Sequence, residues 1–212
     1  AASDVYKRQN HMSTTFKYTA IDVAGLGGIA IIAGAIFLIA SNYYWSPAFA
    51  IGGVFVATAI YGIWFIGATA AGYIIRKPGA AFLGEFLGSI VEMILGSIFA
   101  IYVLVWGLVQ GLSAEAVFAL FRYRRWDYLS LSLASALAGF MVIFPTLVYF
   151  PGLLGVAYVA AVNFGFPGIF GIILFIIIHP ISGIIIAGIL TKLVIDRLAL
   201  TGIFDLFPVG KE

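Results

Sequence analysis

The sequence specifies an all-α integral membrane protein of six transmembrane helices, with both termini on the cytoplasmic side. Three observations carry this reading. Of the 212 residues, 63% are hydrophobic and only 9% are Asp, Glu, Lys or Arg, where a soluble domain carries about 25% charged residues. The apolar residues fall in charge-free runs, and a bilayer demands about 20 such residues per helix. The basic residues occupy every second gap between the runs. A soluble fold could not cover its surface with 11 basic and 9 acidic residues, and the chain is too apolar for disorder.

Residues 1–11 (AASDVYKRQNH) are polar and lack the apolar core of a signal peptide. They resemble translated cloning sequence, which makes Met12 a natural start. The expected unit is therefore one six-helix domain over 12–212, behind a non-native or disordered tail. Span 1 covers residues 23–40 and starts near Ala20. Tyr43-Tyr44-Trp45 predicts an aromatic turn after it, at the interface where such rings belong. Span 2 lies in the uncharged run 48–75, ended by Arg76-Lys77-Pro78-Gly79. Residues 80–121 are long enough for spans 3 and 4, turning near Gly96-Ser97. Residues 128–191 contain no Asp, Glu, Lys or Arg, and hold spans 5 and 6 with an apolar connection bracketed by Pro151-Gly152 and Pro167-Gly168.

The basic residues precede span 1 or follow spans 2, 4 and 6, so all 11 fall on one side. The positive-inside rule makes that side cytoplasmic. Within the spans, ionisable groups cost several kcal/mol unless paired or solvated, so each calls for an explanation. Asp22 and Asp196 are close enough to the cytoplasmic edge to be wetted there. Glu85, Ser89 and Glu92 share one face of span 3 at i, i+4 and i+7. Tyr102, Trp106 and Gln110 form a stripe on span 4, and Tyr61 and Trp64 share a face of span 2. His179 precedes Pro180, which kinks span 6. Acids among aromatic faces suit a small aromatic or cationic solute entering from outside. The bland alternatives are packing for the rings, wetting for Glu92, and an interhelical hydrogen bond for Glu85 or His179. Glu115 lies on the opposite face of span 4 and reads as structural or partner-facing. Ala20, Ala24 and Gly28 give span 1 a small-residue face for a partner subunit or for a neighbouring helix of the same chain.

Several functions are excluded. There is no cysteine, no G-x-x-x-x-G-K-[ST] phosphate loop, no G-x-S-x-G and no zinc-binding His-Glu-x-x-His. Two histidines cannot form a His-rich metal or haem site, and the basic residues follow the membrane boundary rather than a nucleic-acid surface. No cofactor is called for.

A resemblance sharpens this reading. Tyr61-Gly62-Ile63-Trp64-Phe65-Ile66, Ile75-Arg76-Lys77-Pro78-Gly79-Ala80-Ala81, Glu85 with Val91-Glu92, and Val109-Gln110-Gly111-Leu112-Ser113-Ala114-Glu115-Ala116-Val117-Phe118 closely resemble the YkoE family. Ile181-Ser182-Gly183 and Ala187-Gly188 look similar too. The strong match covers about 61–118, with weaker agreement to about 203. The family comprises substrate-capture (S) components of energy-coupling-factor (ECF) vitamin transporters, linked to thiamine or hydroxymethylpyrimidine. The resemblance implies an S-component bundle in a bacterial plasma membrane that takes a thiamine-like molecule from outside. A separate transmembrane coupling protein and ATPase subunits would supply energy, consistent with the missing phosphate loop. It gives Ala20, Ala24 and Gly28 the coupling protein as partner, and puts Tyr43–Trp45 over the outer mouth as a gate. The pocket would comprise Glu92, Trp106, Tyr102, Gln110, Tyr61 and Trp64, with Glu85 and His179. The competing readings are a proton- or cation-coupled secondary transporter using Glu85 and Glu92, and a structural membrane subunit.

Overall fold

In the computed structural model, which describes residues 17–211, helix α1 (Ala20–Ile39) starts on a capping box. The Thr19 hydroxyl accepts from the Asp22 amide (3.2 Å) and Asp22 accepts from the Thr19 amide (2.6 Å). Asp22 is not wetted as its position suggests. It is buried, and Lys77 neutralises it at 2.6 Å. The tail 1–11, with Lys7 and Arg8, and the start at Met12 lie outside the described residues.

No turn interrupts the chain at Tyr43–Trp45. A wider π-type turn (Ala40–Trp45) leads straight into α2 (Ser46–Ala59). The wide turn relaxes the helical ladder where Pro47 has no N–H to give, so proline enters without breaking the helix. The true bend comes at Gly53, whose φ of +64° suits only glycine. A 3₁₀ turn (Tyr61–Phe65) then divides the expected second span before α3 (Ile66–Ile75). The break frees backbone groups, and one side chain serves two of them. The Ser182 hydroxyl donates to the Ala59 carbonyl (2.7 Å) and accepts from the Gly62 amide (2.8 Å).

Helix α4 (Ala80–Ile94) and α5 (Tyr102–Leu120) are joined through Gly96 at φ +94°, where the sequence puts the turn. Helix α6 (Tyr128–Met141) is N-capped by Asp127 and runs into α7 (Ile143–Tyr149). The Ser130 amide and the Arg125 guanidinium hold the Asp127 carboxyl below the usual carboxylate range. The bracketed apolar connection is itself helical, α8 (Leu153–Asn163), and carries Asn163 at its exposed end. Helix α9 (Gly168–Gly183), a second π-type segment (Ile184–Leu190) and α10 (Thr191–Ala199) complete the bundle, followed by a short 3₁₀ turn (Pro208–Lys211).

Four stretches are long and apolar enough to cross a membrane: Ala20–Ala59, Tyr102–Leu120, Tyr128–Tyr149 and Gly168–Ala199. Tyr61–Ile75 and Leu153–Asn163 are shorter apolar helices. The described residues contain no strand. Helix α4 packs against α1, α3 and α5, and so sits at the middle of one half of the bundle. Small residues allow this closeness: a Cβ added at Gly34 would lie 2.6 Å from the Gly88 carbonyl oxygen and from Val91 Cβ. Gly34→Ala is therefore expected to destabilise the detergent-solubilised protein by about 2 kcal/mol. Equal melting temperatures for variant and wild type would refute that tight approach.

One end of the bundle gathers the basic residues Arg76, Lys77 and Lys192. Lys77 pairs with Asp22, the Arg76 guanidinium lies over Tyr73 (5.0 Å) and Trp126 (5.9 Å), and Lys192 bonds Asp196 (2.8 Å) and the Tyr73 hydroxyl (2.7 Å). Glu92 and the Gly96 turn lie at the opposite end of α4 from Gly79.

Candidate functional site

The stripe Glu85, Ser89 and Glu92 faces Trp106 and Gln110 of α5 and the Tyr61 and Trp64 rings of the 3₁₀ turn across a cavity of about 420 Å³. With three residues per 3₁₀ turn, Tyr61 and Trp64 stand in register and present two rings to the same space. Trp45, brought round by the π-type turn, meets them edge-on at 5.9 and 6.0 Å, and meets Phe99 at 6.1 Å. Phe99 in turn stands edge-on to Trp106 at 5.3 Å. Tyr43 and Tyr44 point outward and are exposed.

Glu92 is 1% exposed. Its Oε1 accepts from the Ser41 hydroxyl (2.5 Å) and the Ser97 hydroxyl (2.9 Å), while Trp64 Nε1 donates to Ser41 (3.2 Å). Both hydroxyls fall on Oε1, the Trp64 indole N–H lies close by, and Oε2 takes neither hydroxyl. Among the described residues, no Lys or Arg lines the cavity. Asn42 ties the rim together, donating to the Gly96 carbonyl (3.1 Å) and accepting from the Ile98 amide (3.0 Å).

Glu85 is completely buried and serves two purposes. Its Oε2 accepts from the Ala68 amide (2.7 Å) in the first turn of α3, satisfying a donor that the helix cannot pair itself. With its amide nitrogen turned towards acceptors, Gln110 donates to Glu85 Oε1 (3.1 Å) and to the Trp64 carbonyl (3.2 Å). Glu85 thus lines the cavity while fastening α3, α4 and α5 together. Glu115, away from the cavity, performs a similar service for α4. It accepts from the amides of Gly79 (2.6 Å), Ala81 (3.0 Å) and Phe82 (3.1 Å), and from the Tyr123 hydroxyl (2.8 Å). Its role is structural.

Two expected pocket residues stand outside the cavity. Tyr102 is 46% exposed and packs on Tyr149 at 4.5 Å. His179 sits behind Tyr61, ring to ring at 4.8 Å, with Nδ1 2.9 Å from the Phe175 carbonyl oxygen. The cavity also includes Phe37, Ser46, Phe49, Thr146, Phe150 and Leu153, which no sequence pattern marked. Only Trp45 had a signal, as part of the aromatic cluster. Among the described residues, no three His, Cys, Asp or Glu side chains converge as a metal site would require. Ala20, Ala24 and Gly28 are exposed along α1, and a Cβ at Gly28 would meet nothing within 4 Å. That face therefore packs on no described helix of its own chain.

The family described as "ABC-type cobalt transport system, permease component" matches residues 21–141. The putative HMP/thiamine permease protein YkoE of Bacillus subtilis (strain 168) is 40% identical over 156 residues, 72% of this chain and 71% of that protein. The crystal structure of an S-component of an ECF transporter superimposes with a TM-score of 0.80 at 30% identity, over 92% of both chains. The chain belongs to the YkoE family, membrane permeases with the fold of ECF S-components, and is a transport protein rather than an enzyme.

Proposed function

We propose that the protein is the substrate-capture subunit of an ATP-driven ECF importer and binds thiamine or its hydroxymethylpyrimidine moiety. The observation that carries this is Glu92: a buried carboxylate whose two hydroxyl partners share one oxygen, walled by Trp64, Trp106 and Tyr61 and, among the described residues, with no basic side chain beside it. A carboxylate accepts from an exocyclic amine and offsets a cationic ring, and indole faces attract that cation. Such walls suit a flat ring better than a bare cobalt ion, whatever the name of the matching family. The cavity volume suits one small heterocycle.

On this reading six helices span the bacterial plasma membrane. The basic end faces the cytoplasm with both termini, and the Glu92 end opens outward. The exposed Ala20, Ala24 and Gly28 face would dock on the transmembrane coupling protein, while ATP is hydrolysed in partner subunits. Glu85 is committed to the Ala68 amide and Gln110, which speaks against a proton-carrying role for it.

A ligand panel on the purified protein in detergent tests the assignment. At a hundredfold excess over Kd, a ligand that binds only the folded state adds about 2.7 kcal/mol. Thiamine or hydroxymethylpyrimidine should therefore raise the melting temperature by several degrees and quench tryptophan fluorescence. If neither compound changes either signal, the substrate assignment is wrong.

A further inference from the structure

Ser41 is not one of the residues that line the cavity, yet it bonds two that do, Glu92 and Trp64. It stands on the π-type turn after α1 and is fully buried. Its hydroxyl donates to Glu92 Oε1 (2.5 Å) and accepts from Trp64 Nε1 (3.2 Å). An indole N–H only donates and a carboxylate only accepts, whereas a hydroxyl does both. The order from Trp64 through Ser41 to Glu92 is therefore fixed in direction, because the hydroxyl has one proton and the carboxylate takes it. The neighbouring hydroxyls do not join ring to acid in this way. Ser97 also donates to Glu92, but it accepts from the Phe99 amide (3.3 Å), and Ser89 donates to the Phe86 carbonyl (2.8 Å). The seat of Ser41 is itself held, since Asn42 beside it bonds Gly96 and Ile98 in the α4–α5 connection that carries Ser97.

We infer that Ser41 is a positioning residue of the binding site. It occupies the Trp64 N–H, so that the indole meets a ligand through its carbon framework, and it holds Glu92 by Oε1. Acid and ring thus stand in a set relation before a ligand arrives, and binding does not have to order them. The indole N–H also lies close to Glu92, so the three groups form one cluster and loss of the hydroxyl loosens both walls together. The inference rests on the cavity being the vitamin site proposed above.

Two measurements on the full chain in detergent test it, with Ser41→Ala made in the wild type and in Trp64→Phe. Phenylalanine keeps a ring at the wall but has no N–H. The first is calorimetric titration with thiamine and with hydroxymethylpyrimidine. For whichever of them the wild type binds, Ser41→Ala should weaken binding about tenfold in the wild type but no more than about threefold in Trp64→Phe, where part of what Ser41 holds is already gone. A serine acting through packing alone would cost the same factor in both backgrounds. The second is tryptophan emission without ligand. Ser41→Ala should move it to shorter wavelength, because an excited indole is stabilised less without a partner for its N–H, and should leave the emission of Trp64→Phe unchanged. Affinity within twofold of wild type, an equal cost in both backgrounds, or an unmoved emission spectrum would overturn the positioning role while leaving the vitamin site standing. If the wild type binds neither compound, the substrate reading fails and the positioning role with it.

Discussion

Replacing Glu92 with Gln is expected to weaken thiamine binding about a hundredfold with little change in folding. The amide is nearly isosteric, and its oxygen can still accept from the Ser41 and Ser97 hydroxyls that meet at Oε1. What changes is the Oε2 position. There an –NH₂ replaces Oε2 and meets the ligand's donor with another donor, and the counter-charge for a cationic ring is lost. Removing one partner of a buried, hydrogen-bonded charge pair costs about 2–5 kcal/mol, and about 1.4 kcal/mol is tenfold in affinity. A neutral pyrimidine should suffer less than thiamine, because only the hydrogen-bond mismatch applies to it. Titration of both ligands against wild type and variant measures the two terms. Thiamine affinity within threefold of wild type would remove Glu92 from the site.

Glu115→Ala should give the largest loss of stability, about 3 kcal/mol, while leaving ligand affinity intact. The side chain answers three amides at the start of α4 and the Tyr123 hydroxyl. Among the described residues no other side chain accepts from those amides, and a cap alone contributes about 1 kcal/mol, with further loss for partly buried donors left bare. Glu115→Gln keeps an accepting oxygen and should recover part of the loss. Thermal unfolding in detergent, with thiamine titration well below the transition, separates stability from binding. An alanine variant that melts with the wild type would show that water caps α4 equally well.

The membrane class was legible because charge is scarce and lies in particular gaps. Site residues were legible where a polar group interrupts an apolar helix: Glu85, Ser89 and Glu92 stand out on α4, and Gln110 beside Trp106 on α5. The aromatic stripe was less faithful. Each four-residue step on a helix turns about 40° past a full circle, so Tyr102 and Gln110 diverge by about 80°. Tyr102 is also the first residue of α5 and faces away from the cavity that its neighbours Phe99 and Val103 line. Phe37, Phe49 and Phe150 could not be picked out, because α1, α2 and the 150–152 break are apolar on every side. A lining phenylalanine there looks like a lipid-facing one. Trp45 faces inward only through the π-type turn, which hydrophobic patterning does not encode. His179 was singled out by its neighbour Pro180, yet packing directs its ring behind Tyr61.

The two capping acids share an order. Glu85 lies on α4 and seals the start of α3, while Glu115 lies on α5 and seals the start of α4. These two helices each receive a closing group from the helix made immediately after them. On the ribosome, α3 emerges with an open end that the next segment shuts, and α4 waits in the same way for α5. The starts of α3 and α4 are therefore closed only once α4 and α5, respectively, have been made.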